Sequence, residues 1–199
     1  MPWQLKEADP APDGSVRVRL RLPDCADRPG CRTCTVDYVV TVGESLSAEL
    51  IITNNSSGEF IFENCLHTYL AVGDIKSVVV AGLKGVDYLD HLAAFVRKTE
   101  TGDVIRFQGE VDRIYLDTPH TAIIRDLSLR RATHIAKENS VSTVVWNPSI
   151  GKSKVIPDFD DEEYKQMVCV ESGNVSLNSI RLAPGASSKL KIALSSKPL

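Results

Sequence analysis

From Ser15 to Leu22 the chain alternates without a break: Val16, Val18, Leu20 and Leu22 fall on one side, Arg17, Arg19 and Arg21 on the other. A period of two suits only an extended strand that buries one face and wets the other. The same grammar recurs along the chain. Thr35 to Val42 and Leu46 to Thr53 read as paired strands joined through Gly43-Glu44-Ser45, and Asn54 to Gly58 stops the second. Ile75 to Ala81, Asp103 to Glu110, Arg113 to Leu116, His120 to Arg130, Ala132 to Lys137, Val141 to Trp146 and Ser187 to Leu194 read as further strands. Asp112 falls at a bend between two of them. The one helix-like piece is short, at Asp160 to Gln166, where acids crowd the first turn. About a dozen short strands with turn signals between them predict an all-β sandwich.

At 199 residues the chain is long enough for one well-buried domain, and residues 1–199 are read as a single domain. A net charge of -3 and scattered Lys and Arg give no basic field, which argues against a nucleic-acid partner. No leader opens the sequence and no apolar run approaches a bilayer's thickness, so the expectation is a cytoplasmic protein with no membrane partner. Five cysteines without a leader argue for thiols, and the sequons at Asn54 and Asn174 then carry no glycan meaning. Cys25, Cys31 and Cys34 cluster in a loop, but three cysteines without a nearby histidine fall short of a four-ligand zinc site. They read as loop thiols. The arginine row of Ser15 to Leu22 reads as a solvated face rather than a phosphate stripe.

Two stretches carry candidate chemistry. In Glu63 to Ile75 the alternation sets Leu66, Leu70 and Val72 on one face and Cys65, His67 and Tyr69 on the other, so His67 points away from the apolar side. In Met167 to Asn174, Val168 and Val170 share one face and Glu171 ends the strand on the other. A histidine and a carboxylate supply the two proton carriers of acid/base catalysis. Alone, each has a blander reading, as a packed histidine and a strand-end acid. Asp112 beside Arg113 reads alone as a local ion pair.

Four blocks, in order, raise these residues above that background. They are Leu66-His67-Thr68-Tyr69 with Val72-Gly73-Asp74-Ile75; Gly82-Leu83-Lys84-Gly85 with Tyr88-Leu89-Asp90; Glu110 to Tyr115; and Val144-Val145-Trp146-Asn147-Pro148 followed by Met167 to Glu171. Together they resemble the glucose-6-phosphate 1-epimerase family, the hexose-6-phosphate mutarotases related to galactose mutarotase. The resemblance implies a galactose mutarotase-like β-supersandwich that interconverts the α and β anomers of a hexose 6-phosphate, or a related aldose, without metal or cofactor. By matching position it implies Glu171 as the base at O1, His67 as the acid at O5 and Asp112 as a holder of sugar hydroxyls. His91, His120 and His134 match no motif and read as structural or surface residues.

The resemblance also implies departures. Ser149 stands where the family usually has an aromatic after the Asn-Pro pair. Family members carry an N-terminal part, roughly a third of the usual chain, with arginines that would grip the phosphate; this chain starts where that part would end. The expectation is therefore a domain truncated at its N-terminus, lacking N-terminal strands, impaired in activity, and prone to self-association through exposed edges; a complete chain would be a monomer. The alternative function is a non-catalytic carbohydrate-binding or interaction β-sandwich.

Overall fold

The computed structural model describes residues 2–23 and 34–199, and 18 strands lie within them. The first four, β1 (Gln4–Pro10), β2 (Val16–Arg21), β3 (Cys34–Val42) and β4 (Leu46–Asn54), pair in succession, each antiparallel to the one before. Short strands follow: β5 (Phe60–Phe62), β6 (Asn64–Leu66), β7 (Tyr69–Ala71), β8 (Val78–Ala81), β9 (Asp87–Asp90), β10 (Val96–Thr99) and β11 (Val104–Arg106). Then come β12 (Val111–Leu116), β13 (Ala122–Asp126), β14 (Arg131–Glu138), β15 (Ser142–Asn147), β16 (Met167–Asn174), β17 (Ile180–Leu182) and β18 (Ser187–Pro198).

Sixteen of them form a nine-stranded sheet, in the order β1-β2-β3-β4-β18-β14-β13-β8-β11, and a second sheet ordered β10-β9-β12-β15-β16-β6, with β7 also on β16; β5 and β17 pair with each other apart from both. The core joins the two. Val78, Val80, Ile105, Ile124 and Ile135 come from the first sheet, and Tyr88, Val111, Tyr115, Val145, Val168 and Val170 from the second. The all-β sandwich expected from the alternation is thus the observed fold. Among the described residues no helix is long and apolar enough to cross a membrane.

Several boundaries differ from the sequence reading. The strand expected from Ile75 begins only at Val78, because Asp74 caps a 3-10 turn by accepting from the Lys76 amide. Of Asp103 to Glu110 only Val104–Arg106 is strand, and of His120 to Arg130 only Ala122–Asp126. Asp112 is not at a bend: it sits inside β12, paired with Trp146, because Val111 and Tyr115 anchor that strand in the core. Glu171 does not end its strand, since β16 runs on to Asn174 with every residue buried. The Asp160 to Gln166 piece is a 3-10 turn at Glu163–Gln166, and a short α-helix, α1 (Ser149–Ser153), lies before it. Asn147 makes that helix start, accepting from the Ser149 amide after Pro148.

Gly173 on β16 sets how closely the edge strand approaches. A Cβ there would sit 2.6 Å from the Asn64 carbonyl oxygen and 2.9 Å from Cys65 Sγ, so only glycine admits β6 at this distance.

The arginine row is ion-paired. Arg17 meets Glu7 at 3.1 Å, while Arg19 and Arg21 each reach the buried Asp37 at 2.7 Å. Cys34 opens β3; Cys25 and Cys31 lie outside the described residues. The Arg21 and Arg19 guanidiniums hold the Asp37 carboxyl at about 2 against an ordinary 3.8. A depressed carboxyl stabilises the fold above its unfolded pKa, and that contribution is lost as pH falls through the folded value. Asp37→Asn should therefore cost about 2 kcal/mol at pH near 6, a difference that closes as pH falls from about 4 to 2. Urea unfolding of parent and variant across that range checks it; a constant difference would rule out the ion pair as its source.

Candidate active site

The second sheet has one face against the core and one face out, and alternation decides what each shows. Val168 and Val170 of β16 enter the core, so Met167, Cys169 and Glu171 take the outer face. Antiparallel register extends this face sideways. Asp112 pairs with Trp146, Trp146 with Cys169, and Cys169 with Tyr69, which gives one row across β12, β15, β16 and β7. In the adjoining row Ile114 pairs with Val144 and Val144 with Glu171. Residues more than a hundred positions apart thus share one surface.

His67 occupies a gap in the edge. β6 ends at Leu66, opposite Ser172, and β7 starts at Tyr69, opposite Cys169, leaving His67 and Thr68 between the paired stretches. The expected continuous strand is broken here. Released from the ladder, the imidazole lies over Glu171, with Nε2 3.2 Å from Oε1. Its ring stacks on Tyr69 at 4.8 Å and meets the Trp146 edge at 5.8 Å, while Nδ1 lies 3.7 Å from Cys169 Sγ. The His67 side chain is half exposed (52%) and that of Glu171 is buried (7%), so the carboxyl is reached past the histidine.

Burial without a cation tunes both groups. Glu171 is pushed up to about 7, chiefly by loss of water and further by the negative charge of Asp112; the thiol of Cys65, which donates to Oε2 at 3.2 Å, opposes the rise. Burial also lowers His67 below its ordinary 6.5. Burial thus lifts the carboxyl's proton affinity into the neutral range, above that of the imidazole, so the two groups can pass a proton between them near neutrality.

The structure brings Asp112 onto the same face as His67 and Glu171, and adds partners that sequence reasoning missed. His91 Nδ1 lies 2.8 Å from Asp112 Oδ2, so this histidine, read as structural or surface, belongs to the site. Its ring stacks on Phe95 at 4.5 Å in a turn where Ala94 and Phe95 both have positive φ. Lys152 of α1 reaches Glu110 at 3.1 Å and Asp112 at 3.6 Å. No spacing pattern joins position 91 or 152 to 112; the juxtaposition comes from the β9–β12 pairing and from the helix that Asn147 starts. Cys65 was legible, two positions before His67 on the same alternating face. His120 and His134 meet none of these residues: His120 lines a small gap beside Lys137, and His134 lies on β14. A cavity of about 280 Å³ lined by Asp126, Arg131 and Thr133 contains neither His67, Asp112 nor Glu171.

Residues 1–195 match the family model described as Aldose 1-epimerase. This chain belongs to the aldose 1-epimerase family. It is 42% identical over 154 residues to a Cenchrus ciliaris protein named "Putative glucose-6-phosphate 1-epimerase", covering 77% of this chain and 46% of that protein. An Escherichia coli K12 protein of the same name is 30% identical over 177 residues, covering 88% of this chain and 58% of the other. Among solved structures, a "putative mutarotase (YeaD)" from Salmonella typhimurium superposes with a TM-score of 0.90 at 27% identity, covering all of this chain and 66% of that one. The chain thus spans about half the length of these curated relatives, and its β-sandwich is that of the mutarotases.

A raised Glu171 has a cost in stability. The unfolded carboxyl ionises near 4.5 and the folded one near 7, so stability declines as pH rises between those values. Glu171→Gln removes that decline: the variant should match the parent near pH 4.5 and exceed it by roughly 2–3 kcal/mol at pH 8.5. Chemical unfolding at the two pH values measures the difference; parallel pH profiles would show that Glu171 titrates as an ordinary carboxyl.

Proposed function

We propose that this chain carries the acid/base centre of an enzyme that interconverts the α and β anomers of a hexose 6-phosphate. The observation that carries the reading is the contact between His67 Nε2 and Glu171 Oε1 at 3.2 Å, on a face that also bears Asp112. The names of the curated relatives support glucose 6-phosphate as the sugar.

The reaction follows from these groups. Ionised Glu171 accepts the proton of the anomeric O1 hydroxyl. As the C1–O1 bond becomes a carbonyl, the C1–O5 bond breaks, and protonated His67 delivers its proton to O5. Rotation about C1–C2 presents the other face of the aldehyde. Closure then reverses both transfers: O5 attacks C1 and returns its proton to His67, while O1 recovers its proton from Glu171. No electrons are exchanged, so proton carriers suffice and no cofactor takes part. Asp112 accepts hydrogen bonds from sugar hydroxyls, and His91 and Lys152 orient it. The exposed Tyr69 ring stacked on His67 gives the apolar face of a pyranose a surface to lie on, with the buried Trp146 backing it.

Exchange NMR of α- and β-glucose 6-phosphate tests the reading, with buffer alone as the blank because the anomers interconvert unaided. The 199-residue chain should accelerate exchange, and His67→Ala or Glu171→Gln should each remove roughly 10²- to 10⁴-fold of that acceleration. The active form holds Glu171 ionised and His67 protonated, so kcat/KM should be bell-shaped, with its maximum between the lowered His67 value and about 7. Asp112→Asn should raise KM more than it lowers kcat. A native chain that matches buffer yet binds the sugar would be a carbohydrate-binding module instead; acceleration that survives His67→Ala would remove the histidine from the mechanism.

A further inference from the structure

The acid/base pair stands among thiols, and the mechanism uses neither of them. Cys169 and Glu171 are two apart on β16 and share its outer face, and the break in the edge strand lays His67 over both. One ligand atom from each of His67, Cys169 and Glu171 can be chosen so that all lie within 4.8 Å of one another. The imidazole nitrogen and carboxylate oxygen are already 3.2 Å apart. Tetrahedral zinc, with bonds of about 2.0–2.3 Å, holds its ligand atoms roughly 3.3–3.7 Å from each other. Cys169 Sγ lies 3.7 Å from the other ring nitrogen, Nδ1, so a turn of the half-exposed ring that presents one nitrogen to both partners completes three corners. Cys65 Sγ, 3.2 Å from the second oxygen of the same carboxylate, stands beside them as a further sulfur.

We infer that His67, Cys169 and Glu171 form an inhibitory site for a thiophilic divalent cation, zinc above all. The donor set selects the metal: one sulfur, one imidazole and a single carboxylate suit zinc, whereas magnesium and calcium require oxygen shells that this cluster does not provide. The half-exposed ring of His67 leaves a way in. Binding forms Zn–S, Zn–N and Zn–O bonds, and the Cys169 thiol, with the Glu171 carboxyl wherever it is protonated, gives up its proton to solvent. Bound metal occupies the lone pairs with which His67 and Glu171 would carry protons, so the anomeric reaction stops and a chelator restores it. Inhibition rests on the function proposed above; metal binding does not. A metal-free reaction, as the family resemblance implies, is left intact, because here the ion opposes catalysis.

Cobalt(II) is the probe, because a cysteine ligand announces itself by a thiolate-to-cobalt charge-transfer band. The titration is made on the full chain with Cys25, Cys31 and Cys34 replaced by serine, which removes the thiols of the 25–34 segment, and zinc is measured by competition with a chromophoric chelator. One equivalent of cobalt with that band is expected. Cys169→Ser should abolish the band, and Cys169→Ser or His67→Gln should each weaken zinc at least about tenfold. The half-exposed His67 position keeps the test open if Cys169→Ser folds poorly. Absence of the band, or zinc affinity unchanged in both variants, overturns the site. Exchange NMR, with each protein compared to its own metal-free rate, then reads inhibition. Zinc that binds an active chain without slowing it overturns the inhibitory role. Zinc bound through Cys169 and His67 by a chain without turnover upholds the site and counts against the epimerase reading.

Discussion

The structure turns on the alternation of one buried strand. β16 drives Val168 and Val170 into the core between the sheets, and by doing so fixes Cys169 and Glu171 on the opposite face. With neighbours on both sides, the strand cannot slip by one residue without sending a carboxylate into the core and valines out of it. The apolar packing that stabilises the sandwich is therefore also what aims Glu171. Register then carries the placement sideways through Trp146 to Asp112, with no further specification needed.

Glu171 itself is held at a disadvantage. It is buried, its nearest partners are a neutral thiol and a histidine whose own charge burial disfavours, and Asp112 adds a negative charge nearby. Asp37 shows the contrast within the same chain: two arginines flank it and hold its carboxyl down. The first environment raises proton affinity and the second lowers it, although both carboxylates are buried in sheets. A destabilised group kept in place by a well-packed strand is what general-base chemistry near neutral pH requires.

Much of this was legible in the sequence because side-chain alternation is local. The faces of β16 and the grouping of Cys65, His67 and Tyr69 follow from a period of two; β2 is a strand as expected, but its burial does not alternate, and Val16 of the expected buried face is exposed. What escaped was whatever depends on partners far along the chain. Asp112 looked like a bend because Glu110 and Asp112 interrupt the apolar pattern; pairing with β15 and β9 overrides that local signal. His91 and Lys152 carry no periodic signature and reach Asp112 only through tertiary pairing. The break at His67 was invisible for a related reason: Thr68 is a good strand former, and the gap exists only because β6 and β7 pair with separate stretches of β16.

Gly173 shapes the candidate site without a side chain of its own. Its missing Cβ lets β6 lie close enough for Cys65 to touch Glu171, and the nearest obstacles to a methyl group are a backbone oxygen and that same sulfur. Of the twenty amino acids only one fits. The position is thus closed to any side chain, and a substitution there would loosen the thiol's hold on the carboxylate while every titrating side chain still stood in the sequence.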